Sequence, residues 1–180
     1  QFKASNFTFL FAPAYNPAVA HVQPVRKALG IPTIFNTLGP LLSPGRPSLQ
    51  IMGIANPAQG QLIAEVFREL GRERALVVHG AGTDEIATHG TTQAWELNDG
   101  EIVTYELTPE DLGIERHELK DLTGGDGAAN ARALHAVFAG RGEPAHCDAI
   151  AATAGTMFYL NGTTETIAAG VTHAKELISS

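Results

Sequence analysis

The chain has 180 residues, 44% of them hydrophobic, which suits one folded domain with a sizeable core and excludes a disordered chain. Nineteen acidic against twelve basic residues leave a formal charge of −7, which repels phosphate backbones, and no local basic patch argues for a nucleic-acid partner. No apolar run reaches the length of a membrane-spanning helix, and the single cysteine, Cys147, excludes an internal disulfide, so a cytoplasmic setting without a membrane partner is expected.

Gln1 is not an initiator, and Thr8-Phe-Leu-Phe11 already reads as a short buried strand, so the chain is expected to belong to a longer polypeptide. Asn16-Pro17 supplies an N-cap and a first-turn proline, and Gly30 a stop, which predicts a helix between them. Val19, Val22, Arg26 and Leu29 recur at helical spacing, so Arg26 falls on the apolar stripe. A guanidinium there must find an anion: a structural carboxylate, which is the commoner case, or the carboxylate of a ligand. Ile31 to Pro40 reads as a helix start that ends on Gly39-Pro40. That dipeptide has little bulk and lacks one backbone donor, so a planar ligand can lie close to it; a plain loop after a short helix is the bland alternative.

Ser48 to Ile54 reads as a strand, and Asn56-Pro57 as the cap of a helix that runs to about Leu70 and closes on Gly71. Ile63, Ala64, Val66, Phe67 and Leu70 form its buried side. Arg74 to His79 follows, apolar on both faces through Ala75, Leu76, Val77 and Val78, as a strand between helices must be. Strand, helix and strand at this spacing predict a parallel pair with a right-handed crossover. At the carboxyl end of the second strand come Gly80 and Gly82, then the adjacent acids Asp84 and Glu85. Ligands of open α/β sheets collect at that end, so the two carboxylates are candidates for a hard divalent cation, Mg²⁺ shared with phosphates. A solvated acidic loop is the bland alternative.

Thr91 to Leu97 and Ile102 to Leu107 flank Asn98-Asp-Gly100, a hairpin signal that would set Trp95 against Tyr105. Thr108-Pro109-Glu-Asp111 opens a short helix, and longer helices are predicted over Asp126–Ala139, Cys147–Leu160 and Thr164–Ile178, the last covering the sheet. Gly124-Gly125-Asp126-Gly127 lacks the partners of a phosphate loop and reads as a helix start capped by Asp126. His146-Cys147-Asp148 cannot form a triad, because successive helical side chains diverge, and Cys147 reads as a small core residue. His79 reads as a strand-end histidine satisfied by backbone.

Phe9-Leu-Phe-Ala-Pro13, Asn16-Pro-Ala18, Val25-Arg-Lys-Ala-Leu-Gly30, Thr33 to Leu42, Val77-Val-His-Gly80, Asp84-Glu-Ile86, Gly124-Gly-Asp126 and Asn130-Ala131 together resemble anthranilate phosphoribosyltransferase. The resemblance runs nearly end to end, over the carboxyl-terminal half of that family. It implies an α/β fold: a central sheet with parallel strands flanked by helices, in a large domain like that of nucleoside phosphorylases, taken as a single domain over residues 1–180 without the family's amino-terminal helical domain. It also implies a Mg²⁺-dependent glycosyltransferase of tryptophan biosynthesis, a homodimer at full length. Such an enzyme moves a 5-phosphoribosyl group from phosphoribosyl pyrophosphate to anthranilate, needs no protein nucleophile, and releases pyrophosphate.

By the same resemblance Asp84 and Glu85 hold the metal, Arg26 clamps the anthranilate carboxylate, and Asn16, Gly39 and Pro40 line the substrate site. Asn16 stands where the family has a histidine, so that position can hydrogen-bond but not titrate, and Ala129 replaces a usual acid. The family's glycine-rich phosphoribosyl pyrophosphate loop and its His-Gly-Asn motif do not occur here, so these 180 residues alone are expected to turn over negligibly. A pyrimidine nucleoside phosphorylase and a non-catalytic nucleic-acid-binding paralogue are the rival readings. The acid pair disfavours the first, and the acidic balance with Arg26, Asp84 and Glu85 disfavours the second.

Overall fold

The computed structural model describes residues 2–10, 15, 17–31 and 33–180, with the helix side chains at 17–20, 23, 26, 35 and 36 outside the description. Two compact units divide at residue 47, and each is described by itself.

The first unit contains α1 (Phe2–Ser5), α2 (Pro17–Leu29) and α3 (Ile34–Leu41). Helix α2 has the bounds its proline and glycine predict, and Gly30 leaves it at φ +64. Two expectations are corrected here. Thr8, Phe9 and Leu10 are not a strand, and Phe9 is 71% exposed; Phe11 lies outside the described residues. An apolar tetrapeptide is only half of a strand, since the ladder also needs a neighbour's backbone. Gly39 and Pro40 do not follow α3 but lie inside it. A proline so near the helix end removes one hydrogen bond only, and the N–H of Leu42 still reaches the carbonyls of Leu38 (3.0 Å) and Gly39 (3.3 Å).

The second unit is built on a four-stranded sheet of β1 (Leu49–Gly53), β2 (Arg74–Gly80), β3 (Thr92–Asn98) and β4 (Glu101–Leu107), in that spatial order. β1 and β2 are parallel, joined through α4 (Gly60–Glu69), as the strand–helix–strand pattern requires. β2–β3 and β3–β4 are antiparallel, so the sheet is mixed. Asp99 and Gly100 turn the hairpin with φ +50 and +81, the paired left-handed conformations of a type I′ turn, which Asp-Gly tolerates. The hairpin is where predicted, but its register separates Trp95 from Tyr105: Trp95 faces Thr104, and Tyr105 faces Ala94. Alternation along a strand then puts the two rings on opposite faces of the sheet.

Each face has its own helical cover. Leu76, Val78 and Ala94 join Ala151, Ala152 and Leu160 of α6 (Pro144–Leu160) and Val171 and Ala174 of α7 (Ile167–Ile178) in one core. On the other face α4 lies against β2 and β3, so close that a Cβ on Gly60 would fall 2.3 Å from the Trp95 ring. Its buried side is Ile63, Ala64 and Phe67, while Leu70 is 47% exposed. Helices α6 and α7 meet at Gly155 and Gly170, where a Cβ on Gly170 would lie 2.1 Å from the Gly155 carbonyl oxygen. Between hairpin and α6 come two 3₁₀ turns, Glu110–Leu112 and Leu119–Leu122, and α5 (Gly127–Phe138), capped by Asp126 as predicted through the Ala129 N–H. No described helix is long and apolar enough to cross a membrane.

Candidate functional site

The acidic turn sits where β2 runs out. The chain bends back through Ala81 (φ +46) and Gly82 (φ +90), and an isolated bridge pairs Gly80 with Thr83. Two glycines make room for the acid pair. A Cβ on Gly53, at the end of β1, would lie 1.6 Å from the Asp84 carbonyl oxygen, and one on Gly80 would lie 2.3 Å from that of Glu85. The backbone carrying both carboxylates therefore rests directly on the ends of the parallel pair. Beyond it Ile86, Ala87 and Thr88 are buried, and the Ala87 N–H donates to Thr92 Oγ1 at 2.8 Å. His79 is held as expected, its Nδ1 2.9 Å from the Ile54 carbonyl oxygen.

Asp84 and Glu85 are both exposed and line a cleft of about 860 Å³. The cleft runs between the turn, the segment around Leu119 and Leu122, α5 and α6, with walls that include Leu134, Val137 and Ile150. Its size is that of a small-molecule site. Partial burial of its carboxyl, and then the neighbouring charge of Asp84, push Glu85 above the usual carboxylate range. A cation beside the pair would relieve that repulsion.

The donor set fits Mg²⁺. Both donors are hard carboxylate oxygens, and no group of three or more His, Cys, Asp or Glu converges among the described residues. A site with two carboxylates and room for water and phosphate oxygens suits Mg²⁺, whereas zinc asks for a closed nitrogen and sulfur cage.

The structure brings Asp84 and Glu85 together on one turn, and Gly39 and Pro40 together in α3. Arg26 is placed on the backbone of α2, with its side chain outside the description, and Asn16 lies outside the described residues. The readings of the Gly124–Gly127 run and of His146 and Asp148 hold, and that of Cys147 does not. Gly125 exchanges hydrogen bonds with the Asn130 side chain at the α5 start rather than presenting a phosphate cradle. His146 lines the cleft, whereas Asp148 turns away to His117 and Lys175. Cys147 is only partly buried, not a full core residue.

Sequence reasoning missed two buried polar clusters. Glu96, 4% exposed, accepts from Arg74 Nη2 (3.1 Å), Tyr105 Oη (2.7 Å) and Tyr159 Oη (2.8 Å), and Arg74 also donates to the carbonyls that end α6. An acid at an inward strand position always demands such partners, and that was the available signal. Asp148 joins His117 Nε2 and Lys175 Nζ, each at 2.8 Å. Its partners are 31 and 27 residues away in sequence, and no spacing rule finds them.

A mixed α/β sheet with an acid pair at the carboxyl end of a parallel strand is an arrangement that can hold a divalent cation beside a phosphate. The chain belongs to the glycosyl transferase family, whose α/β-domain model matches residues 1–180. Among curated relatives, an anthranilate phosphoribosyltransferase of Corynebacterium aurimucosum is 79% identical over 180 residues, all of this chain and 52% of that protein. The chain thus spans about half the length of such relatives. The crystal structure of anthranilate phosphoribosyltransferase from Thermus thermophilus superposes with a TM-score of 0.89 at 38% identity, covering 97% of this chain and 51% of that one. The Saccharomyces cerevisiae enzyme in complex with phosphoribosyl pyrophosphate and Mg superposes at 0.85 with 32% identity, covering 96% of this chain and 50% of that one.

Proposed function

We propose that this chain carries the metal-holding and anthranilate-binding part of an anthranilate phosphoribosyltransferase. The observation that supports this most is 79% identity along its whole length to a protein of that name, with Asp84 and Glu85 on the turn that closes the parallel strand pair. The anthranilate amine would form a bond to C1 of the ribose as the bond from C1 to pyrophosphate breaks, and the amine's proton would pass to the released pyrophosphate or to water. Bound Mg²⁺ would neutralise charge gathering on the departing pyrophosphate. This chain's part is positional. Asp84 and Glu85 hold the metal, Arg26 grips the anthranilate carboxylate, and Asn16, Gly39 and Pro40 line the substrate site. No residue here is assigned a covalent or proton-transfer role. The family model runs across both compact units without a break, which supports reading residues 1–180 as one α/β domain. We place the enzyme in the cytoplasm, in tryptophan biosynthesis, as a homodimer at full length.

The test joins this chain to the amino-terminal half of a relative and follows the loss of anthranilate fluorescence with phosphoribosyl pyrophosphate and Mg²⁺. Arg26→Ala should raise the KM for anthranilate with a smaller change in kcat. Asp84→Asn and Glu85→Gln should raise the Mg²⁺ requirement. Unaltered kinetics in all three would overturn the residue assignment, and no turnover with anthranilate would overturn the activity.

A further inference from the structure

We infer that His117, fixed by the buried carboxylate of Asp148, is a positioning residue for the acidic turn, an inference that rests on reading Asp84 and Glu85 as the metal pair. The turn is tied to β3 on one side by the Ala87 N–H, and its next residue, Thr88, accepts from the His117 backbone N–H at 2.9 Å. His117 belongs to residues 113–118, which have no helix or strand of their own. The Ile114 N–H donates to the Pro109 carbonyl at 2.9 Å and Arg116 pairs with Glu110 at 2.8 Å, and two charged groups from the helices behind add the anchor at the His117 end. Asp148 of α6 meets His117 Nε2 at 2.8 Å, with both side chains nearly out of solvent, and Lys175 of α7 joins the other Asp148 oxygen at 2.8 Å while reaching the Gly113 carbonyl at 3.4 Å.

The segment is thus clasped at both ends, and the clasp ends three residues from Glu85. Ile86 packs with Leu112 and Ile114 in the same core, so a shift of this segment reaches the carboxylates from two directions. Outer-shell groups that hold metal ligands in place typically weaken metal binding about tenfold or more when lost, and His117 acts on this turn through the Thr88 carbonyl, three residues on from Glu85.

The experiment uses Mn²⁺ alone as probe, titrated into this chain by electron paramagnetic resonance at a temperature where every variant is folded, together with amide hydrogen exchange over residues 83–88. His117→Ala should speed exchange in that window and weaken Mn²⁺ binding about tenfold. His117→Gln, whose amide can still donate to Asp148, should recover most of both. Should His117→Ala not fold, Asp148→Asn is read in its place. Lower thermal stability with unchanged exchange and unchanged Mn²⁺ affinity would show that the clasp only stabilises the fold, and would overturn the inference. If the parent chain takes up no Mn²⁺, the metal reading of Asp84 and Glu85 fails instead, and the exchange data alone decide whether His117 holds the turn.

Discussion

Gly53→Ala tests the placement of the metal pair at its tightest point. The added Cβ would sit 1.6 Å from the Asp84 carbonyl oxygen and 2.5 Å from its carbonyl carbon. Comfortable contact needs about 3.5 Å, so either the acidic turn retreats by about 2 Å or the end of β1 is forced away from it. Both contacting atoms are backbone, so no side-chain rotation relieves the clash. Functional groups must be held to about 0.5 Å, and Mg²⁺ insists on bonds of about 2.0–2.1 Å in near-octahedral geometry. A displacement several times that tolerance should weaken Mn²⁺ or Mg²⁺ binding by at least about tenfold. Overpacking should also lower stability by about 1–3 kcal/mol, which for a chain of this size is about 2–4 °C in Tm per kcal/mol. Metal titration below the transition, beside a circular dichroism melt, separates the two effects. Ile63→Val, at a buried site on α4, is the control, since it costs about 0.5–1.5 kcal/mol and leaves the turn alone. Parent-like metal affinity in Gly53→Ala, or an equal loss in Ile63→Val, would refute the reasoning.

The Glu96 cluster yields two further outcomes. Glu96→Ala leaves Arg74 Nη2 and two tyrosine hydroxyls without their acceptor, while Arg74 Nη1 keeps the carbonyls of Tyr159 and Leu160. Because the Arg74 side chain keeps 21% exposure, the loss should fall near the lower end of the ~3–5 kcal/mol seen for broken buried pairs. A urea midpoint corresponding to less than about 1 kcal/mol would contradict that account. Burial first, then the hydrogen bond to Glu96, push the Tyr105 and Tyr159 hydroxyls above their ordinary value of 10.0. A raised folded-state value favours the protonated form in the fold, so this contribution is complete below pH ~10 and is lost as pH climbs beyond it. Stability should therefore fall on the alkaline side, and Tyr105→Phe should flatten the decline. Parallel declines in parent and variant would count against it.

The order of elements was legible because it is written in neighbouring residues. Gly30 stops α2, Asn56 caps the 3₁₀ turn Pro57–Gln59 that leads into α4, Gly71 follows that helix, Asp99-Gly100 turn the hairpin, and Asp126 caps α5, each through a bond or backbone angle within a few positions. The acid pair was legible for the same reason, being two adjacent residues after an apolar run. Where the sequence misled, the deciding partner lay elsewhere in the chain. Phe9 and Leu10 are apolar and follow a β-branched Thr8 without forming a strand, and the face taken by Trp95 depends on a register that a slip of one residue reverses.

Only the tertiary structure could bring Gly53 under Asp84, Asp148 to His117, and Tyr159 to Glu96 across 63 positions. Periodicity tells which side of an element is apolar, and capping tells where the element ends. Neither carries the distance between elements, and that distance decides which buried charge finds a partner and how firmly a pair of carboxylates is held at the edge of a sheet.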